Sequence, residues 1–293
     1  MLKKLTTIIT TCDSWQVTDE CLGYIVRNST PEVNHIVLLD NGSYTKCPDG
    51  LCSYPNVTNI RSDINNGSNA VFHEMLPWTT SELLAFLHND VPIVESGWDK
   101  RVIEAFDNDP LLGCVGFIGS NEVDRAGGRG LGTVSNFMGL EYITGGAAAA
   151  EVHGKRYAGL KPAATVDFCS MIFRREVLEK LSKPEVAHHF YDRIWCLETI
   201  ENGYHVATLG IACDHFGGGI GMCRVPGEQV GCRNREDCYM RWADAEGIPY
   251  EKGQDLNLLV YNIAEKIYLN KWKLEKKLIP FKVRDDYSLE RRH

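Results

Sequence analysis

The sequence predicts an α/β protein with a mostly parallel central sheet flanked by helices and followed by a helical C-terminal extension. Strand-like apolar runs alternate with helical patterns over the first hundred residues, and this order joins parallel strands by right-handed crossovers. Polar residues directly follow three of these strands. Of the 293 residues, 44% are hydrophobic and 24% are charged, a composition that excludes disordered, collagen-like and coiled-coil chains.

Four runs rich in β-branched and aliphatic residues predict the first four strands: KLTTIITT, HIVLLD, NVTNIRS and ELLAFLHND. Between the first two strands, apolar residues recur on one helical face at Val17, Cys21, Leu22 and Ile25. Asp13 or Ser14 is the expected N-cap of this helix. The run SNAVFHEML predicts a second helix, which ends at Pro77 because proline cannot continue the helical hydrogen bonds.

The middle of the chain continues this alternation. A helix is expected over 98–106, followed by the strand LLGCVGFIG and a Gly- and Ala-rich loop over 125–159. The run TVDFCSMIF predicts one strand that leads into the helix RREVLEKL. A further helix is expected to end at Gly203, and the next strand has a polar exit at Asp214 and His215.

The C-terminal part begins with a loop that contains Gly and Cys, over 216–238. Apolar residues then mark an amphipathic helix at Leu256, Val260, Ile263 and Ile267. We therefore expect one α/β domain over 1–225 and a loop and helical extension over 226–293. The two loops, 125–159 and 216–238, are candidates for a lid or for acceptor contacts.

Charge and cysteine content limit the partners and the location of the protein. The net charge of −8 opposes nucleic-acid binding, although residues 261–293 contain nine Lys or Arg against five Asp or Glu. The eleven cysteines are odd in number and widely spread, which favours reduced thiols. No apolar run reaches the roughly 18 residues of a membrane span, and the first apolar run is too short for a signal peptide. The expected location is the cytoplasm, and the basic tail leaves attachment to a membrane surface open.

The polar strand ends predict a ligand site. In an open α/β sheet the carboxyl ends of the strands meet at one edge, where 11–13, 40–43 and 88–90 would lie together. Oxygen ligands such as Asp90 suit Mg²⁺ or Mn²⁺, although an Asp after a strand is also a common turn residue. The motifs GxGxxG, GxxxxGK[ST], HExxH, GxSxG and CxxC are absent from the sequence, which disfavours dehydrogenases, P-loop enzymes, zinc proteases and α/β-hydrolases.

Taken in order, these runs resemble the inverting glycosyltransferases of family 2, which have the GT-A fold. The opening strand and helix of that family resemble TTIITTCDSWQVTDECLGYIV. Their nucleotide-binding strand resembles HIVLLDNGS, and their Asn-rich turn and helix resemble NNGSNAVFHEML. ELLAFLHND resembles the strand with the metal-binding DxD motif, and FYDRIWCLETIENGYHVATLGIACDHFGG the region from the catalytic acid to a metal-associated His. The resemblance covers about 215 residues. It implies metal-dependent transfer of a sugar from a nucleotide diphosphate sugar to a hydroxyl acceptor, with inversion.

The resemblance also implies roles for individual residues. The donor-binding residues would be Thr10, Asp13, Asp40, Asn65, Asn66 and Asn89, the first three of them at the base and ribose. The ligands of Mn²⁺ or Mg²⁺ would be Asp90, His215 and His88. Asp192, eleven residues before Gly203, would be the general base that takes the proton of the acceptor hydroxyl. Asp167 and Trp195 would border the acceptor or the lid, and Trp78 and Trp98 are further candidates for stacking on a sugar.

Two departures from the family pattern leave alternatives open. The DxD motif is HND here, so its first acid is missing, and Tyr191 stands where the family has a Glu before the base. A nucleotidyltransferase, or a catalytically silent protein that binds a nucleotide sugar or a glycan, would use the same sheet edge. Structural roles are also open: Asp192 as a helix N-terminal acid, Asp40 as a turn residue and His215 as a backbone-bonded strand end. The acceptor is equally open among a glycan, a glycolipid precursor, a protein and a modified base.

Overall fold

The computed structural model describes residues 3–43, 45–63, 65–123, 133–135, 158–186, 188–215, 243, 248–251, 254–274 and 281–291. Most of the 125–159 loop and all of 216–238, the two lid candidates, lie outside these residues. Among the helices that are described, none has the length and apolar character needed to cross a membrane.

Fourteen strands are described: β1 (Leu5–Thr11), β2 (Asn34–Asn41), β3 (Val57–Ser62), β4 (Leu83–His88), β5 (Leu112–Gly116), β6 (Ile118–Ser120), β7 (Glu122–Val123), β8 (Thr133–Ser135), β9 (Leu160–Pro162), β10 (Thr165–Val166), β11 (Ser170–Arg174), β12 (His205–Leu209), β13 (Phe281–Val283) and β14 (Leu289–Arg291). Eight form the central sheet in the order β3-β2-β1-β4-β11-β5-β12-β9. In it only β11 and β9 run against the other strands. The predicted α/β class with a mostly parallel central sheet is confirmed.

The described helices are α1 (Trp15–Asn28), α2 (Gly67–Met75), α3 (Trp98–Asn108), α4 (Arg175–Leu178), α5 (Tyr191–Glu201) and α6 (Leu256–Trp272), with a 3₁₀ helix at Leu76–Trp78. The buried face of α1 consists of Trp15, Thr18, Cys21, Leu22 and Ile25. Val17 was predicted on this face and is only partly buried, because Trp15 begins the apolar stripe two residues earlier. On α6 the buried stripe advances in steps of four, through Leu256, Val260, Ala264 and Tyr268. The predicted Ile263 and Ile267 flank it and are partly buried.

The central sheet has a hydrophobic core on each face. Alternation along β1 sends Ile8 to one core and Leu5 and Ile9 to the other. The core that contains Ile8 also takes in α2, α5 and α6, whereas α1 and α3 cover the opposite face. The C-terminal helix α6 thus packs on the same core as α5, through contacts such as Phe190 with Tyr268 at 5.5 Å between ring centroids.

The run TVDFCSMIF does not form the single strand that its composition predicts. It divides into β10 and β11, which belong to different sheets. Asp167 makes the turn between them: its carbonyl accepts the N–H of Ser170 at 3.1 Å and its Oδ1 accepts the N–H of Cys169 at 2.9 Å. Because β11 then pairs with β4 in antiparallel fashion, this turn lies beside the carboxyl end of β4, where His88 N–H donates to the Cys169 carbonyl at 3.0 Å.

Candidate functional site

Two histidines and one aspartate form a candidate metal centre at the carboxyl edge of the sheet. His88 ends β4, Asp90 follows it in a turn, and His215 comes after β12. One ligand atom from each residue lies within 4.8 Å of the other two. The Asp90 Oδ1 atom is 3.5 Å from His215 Nε2 and 3.8 Å from His88 Nδ1. The structure therefore brings together the three residues that the sequence predicts as metal ligands.

Backbone pairing beyond the strand ends brings these ligands together, because β4 and β12 are separated by two strands of the sheet. Ile93 and Cys213 form an antiparallel bridge. On either side of it, Val94 N–H donates to the Ala212 carbonyl and Asp214 N–H donates to the Pro92 carbonyl, both at 3.0 Å. The chain after β4 is thus tied to the chain after β12, and His215 is held opposite Asp90.

The chemistry of these atoms fits a divalent cation. Asp90 Oδ1 is buried, and within the described part of the chain it accepts no hydrogen bond of ordinary geometry, with His215 Nε2 at 3.5 Å. A buried carboxylate oxygen placed in this way gains most from a cation. Two imidazole nitrogens beside one carboxylate make a softer ligand set than the all-oxygen sites of Mg²⁺. The arrangement therefore suits a first-row transition ion such as Mn²⁺ better than Mg²⁺.

Ionisation at this site also favours a metal. Burial raises the pKa of Asp90, but the neighbouring His215 and His88 outweigh it and hold that pKa below its usual value. Burial lowers the pKa of His88, and His215 lowers it further. The charges of Asp90 and Asp192 raise this pKa, but they do not outweigh the burial. The favoured forms are an ionised Asp90 and a neutral His88, which are the forms that bind metals.

Asp192, the predicted general base, is the second residue of α5 and is buried. Its charge raises the pKa of His88, so the carboxylate lies close enough to act on the metal centre electrostatically. Both carboxylate oxygens contact Nη1 of Arg193, at 2.5 and 2.6 Å. Sequence reasoning missed Arg193, although a cation next to a buried acid in a helical first turn is a readable signal.

The chain enters α5 through two strained residues. His189 and Phe190 have φ values of 71° and 61°, in the left-handed region that non-glycine residues rarely adopt. Packing of the Phe190 ring against Tyr261 and Tyr268 of α6, at 5.1 and 5.5 Å between centroids, holds this conformation. Such strain persists only where the surroundings enforce it, and it clusters at functional sites. It fixes the start of α5 and with it the position of Asp192.

Tyr191 occupies the position where the family pattern has a glutamate. It is buried, its hydroxyl accepts the N–H of Glu185 at 2.7 Å, and burial raises its pKa to about 12. The residue thus stays neutral and supports the loop before α5.

Asp40, predicted to contact the donor, lies at the end of β2 and is buried. Its Oδ1 accepts the Ser43 N–H at 2.9 Å, and its Oδ2 forms an ion pair with Arg61, the residue opposite it on β3. Arg61 Nη2 also donates to the Ser43 carbonyl at 2.6 Å. Sequence reasoning missed Arg61, because only the β2–β3 register shows that it lies opposite Asp40.

Asp13 supports the loop that follows β2. It has a φ of 54°, and its Oδ1 accepts the N–H and the hydroxyl of Thr45 at 2.8 and 2.9 Å. Its own N–H donates to Ser43 Oγ at 2.9 Å. The carboxylate thus shapes the edge where the donor is expected. Thr10 lies on β1, between β2 and β4. It pairs in register with Leu39, next to the predicted donor residue Asp40, and with His88 of the metal centre.

The predicted asparagines lie in three different surroundings. Asn65 Oδ1 accepts from Asn41 Nδ2 at 3.1 Å, and Asn65 Nδ2 donates to Cys12 Sγ at 3.4 Å, so Asn65 joins the ends of β1 and β2. Asn66 Nδ2 instead donates to Ser62 and Glu74. Asn89 Nδ2 donates to Thr18 of α1 at 2.8 Å. Donor contacts by all three stay predictions, and the surroundings favour Asn65.

Trp195, predicted to border the acceptor or the lid, is fully buried, and this role stays a prediction. Its Nε1 donates to the Ser182 carbonyl at 2.9 Å, and its ring packs on Phe72 and Phe168. Phe168, a residue that sequence reasoning missed, lies between this core and the site, with its ring 5.8 Å from that of His88. Its neighbour Asp167 forms the turn described above, and an acceptor role for Asp167 stays a prediction.

The other two tryptophans proposed for sugar stacking differ in exposure. Trp98 is fully buried and cannot reach a ligand, because it begins α3 and its Nε1 donates to Ser29 Oγ at 3.0 Å. Trp78 is 70% exposed in the 3₁₀ helix after α2.

Comparisons with known proteins bear on the family and the fold of the chain. Residues 6–182 match the family described as "Glycosyl transferase family 2". Among solved structures, GalNAc-T7 with UDP, GalNAc and Mn²⁺ is similar with a TM-score of 0.57 and 10% identity, over 96% of this chain and 59% of that one. TarS 1–349 of S. aureus in complex with UDP-GlcNAc has a TM-score of 0.50 and 14% identity, over 92% and 72%. No curated protein sequence matches the chain.

Proposed function

The chain belongs to glycosyl transferase family 2, and from this premise we propose that it transfers a sugar from a nucleoside diphosphate sugar to a hydroxyl acceptor, with inversion at the anomeric carbon and with a divalent metal. The observation that carries the proposal is the cluster of His88, Asp90 and His215 at one edge of the sheet, with the charge of Asp192 acting on His88. That edge is where α/β sheets bind their ligands.

Asp192 is the base of the proposed reaction. Its carboxylate takes the proton of the acceptor hydroxyl while that oxygen forms a bond to the anomeric carbon. The bond between this carbon and the diphosphate oxygen breaks on the opposite face, so the configuration is inverted. The Arg193 guanidinium contacts both oxygens of Asp192 and fixes the orientation of the carboxylate.

The donor is placed across the ends of β1, β2 and β4 in this proposal. Asp40 with Arg61 and the amide of Asn65 offer hydrogen-bonding groups for the nucleoside, and His88, Asp90 and His215 would hold the cation near the diphosphate. A divalent ion there supplies neutralisation of the charge on the departing diphosphate. The two structural relatives named above carry UDP or UDP-GlcNAc, which supports a nucleoside diphosphate as the ligand class.

Two further parts of the proposal concern organisation and location. We keep the division into a catalytic domain over 1–225 and an extension over 226–293, whose helix α6 supports the start of α5. We also keep a cytoplasmic location. The eight cysteines of the described residues lie outside disulfide bonds, which supports a reducing compartment.

The proposal is tested with the full chain, Mn²⁺ or Mg²⁺, and a panel of nucleoside diphosphates. We expect one nucleotide to raise the melting temperature only with metal, since a ligand of the native state stabilises it. Asp90→Ala should abolish this shift. Asp192→Asn should keep the shift and lower release of the nucleoside diphosphate from its sugar donor by about 10²- to 10⁴-fold. Asp107→Asn, an exposed acid on α3, is the matched control and should change neither readout.

Two outcomes would contradict the proposal. If no nucleotide stabilises the protein with either metal, the acids at the strand ends are structural. If a nucleotide sugar binds but turnover is absent in the wild type, the protein is a silent binding protein.

A further inference from the structure

A cavity that is open to solvent lies away from the metal centre. It has a volume of about 820 Å³ and is lined by the end of α5, the start of β12 and the turn between β13 and β14. β12 runs from His205, in this lining, to Leu209, and His215 follows beyond that far end. The cavity is therefore separate from the site that the proposed reaction uses. Its volume is within the range of pockets that hold small molecules.

One wall of the cavity is an ordered stack of two rings. The imidazole of His205 lies on the ring of Tyr287 with 4.1 Å between centroids and 13° between planes. Nδ1 of His205 contacts Asp109 Oδ2 at 2.8 Å, which fixes the orientation of the imidazole and leaves Nε2 for a ligand. Tyr287 has a φ of 65°, a strained conformation that places its ring against His205.

The ionised groups in the lining are already compensated. Glu201 accepts from Trp272 Nε1 at 2.9 Å and forms an ion pair with Arg291. Asp286 Oδ1 accepts the hydroxyl and the N–H of Ser288 at 2.5 and 3.0 Å. These groups are exposed to water, which screens their charges, so they offer a charged ligand little net attraction. The cavity thus favours a ligand without net charge.

We propose that this cavity binds an uncharged oligosaccharide, as a second carbohydrate site on the protein. Tyr204 and Tyr287 offer aromatic surface to the C–H faces of sugar rings, and a tyrosine ring supplies a large apolar surface with a polar end. His205 Nε2 and the compensated polar groups accept and donate hydrogen bonds to sugar hydroxyls. The inference goes beyond the proposed function, since it concerns residues that take no part in transfer and needs neither donor nor metal.

The test is a titration of the full chain, without nucleotide or metal, with maltotetraose, cellotetraose and chitotetraose in separate experiments. The readout is the NMR shift of the His205 ring protons, assigned with His205→Gln. We expect saturable shifts with at least one tetrasaccharide below about 20 mM, a concentration that corresponds to the weak end of specific binding. Tyr287→Phe keeps the ring and should retain this affinity. Tyr287→Ala should weaken it by about tenfold, the magnitude of one lost aromatic contact.

Trp78→Ala is the control, because Trp78 is an exposed aromatic residue outside the cavity; this variant should bind as the wild type does. The proposal is overturned if none of the three sugars shifts the His205 resonances of the wild type. That result would leave the cavity to another partner, such as a protein. Since the wild type alone decides this point, poor folding of Tyr287→Ala does not obscure it. A chain that binds the sugars but transfers none would retain this inference and lose only the proposed function.

Discussion

The ion pair between Asp40 and Arg61 permits a quantitative prediction. Asp40 is 7% exposed, whereas the Arg61 side chain is 45% exposed. Arg61→Met leaves a buried carboxylate with the Ser43 N–H as its remaining hydrogen bond in the described structure. Breaking a fully buried pair costs about 3 to 5 kcal/mol. Water reaches nearly half of the Arg61 side chain, so we expect a loss of about 2 kcal/mol in the free energy of unfolding.

A double-mutant cycle separates the pair from other effects. Asp40→Asn keeps an acceptor for the Ser43 N–H and allows the Arg61 side chain to be solvated. It should therefore lower the free energy of unfolding by about 1 kcal/mol. With both changes no buried charge is left unpaired. The free energy of unfolding of the double variant should therefore fall by about 2 kcal/mol. The two single changes together would give about 3 kcal/mol, so the coupling energy between the two side chains is about 1 kcal/mol.

The assay is urea unfolding followed by tryptophan fluorescence, in the absence of ligands. Arg284→Met is the matched control, because Arg284 is paired with Glu290 and its side chain is 63% exposed; it should cost less than about 0.5 kcal/mol. The reasoning is refuted if Arg61→Met costs no more than this control. It is also refuted if the two changes at Asp40 and Arg61 are additive.

Three further predictions use different parts of the molecule. Mn²⁺ should raise the melting temperature of the wild type more than Mg²⁺ does, and Asp90→Asn should remove the difference, because the site has two imidazole ligands. Equal shifts in the wild type, or a difference that the variant retains, would contradict this. Gly116→Ala should lower the free energy of unfolding by about 1 to 3 kcal/mol in urea unfolding, since a Cβ there would lie 2.7 Å from the Ser170 carbonyl oxygen. No loss of stability would show that the neighbouring strand yields to the added methyl group. Asp255→Ala should lower the free energy of unfolding by about 1 kcal/mol, because Asp255 Oδ1 accepts the Leu258 N–H at 3.0 Å as the N-cap of α6. An unchanged urea midpoint would show that the cap does not stabilise the protein.

Local pattern was sufficient to predict the strand-end residues. Asp40, His88 and His215 each follow an apolar run that forms a strand in the central sheet, and parallel strands necessarily place such ends at one edge. The apolar face of α1 was largely readable for the same reason, since helical periodicity is a property of neighbouring residues.

Non-local packing explains the errors. The burial of Trp195 depends on the Phe72 and Phe168 rings that cover it, and nothing in its own helix shows these contacts. TVDFCSMIF looked like one strand because its composition is uniform, whereas the turn at Asp167 arises from pairing with two different sheets. Arg61 was missed because its contact with Asp40 depends on strand register, which no single run of residues encodes.

The bridge between Ile93 and Cys213 also bears on how the protein folds. It joins segments that are far apart in sequence, and such contacts form late because a long loop must close first. His88 and Asp90 meet His215 only when this closure is complete. A metal ion captured there would be linked to the whole sheet rather than to a local segment. Its affinity would report the completed fold, and a chain whose final strands had not docked would have almost none.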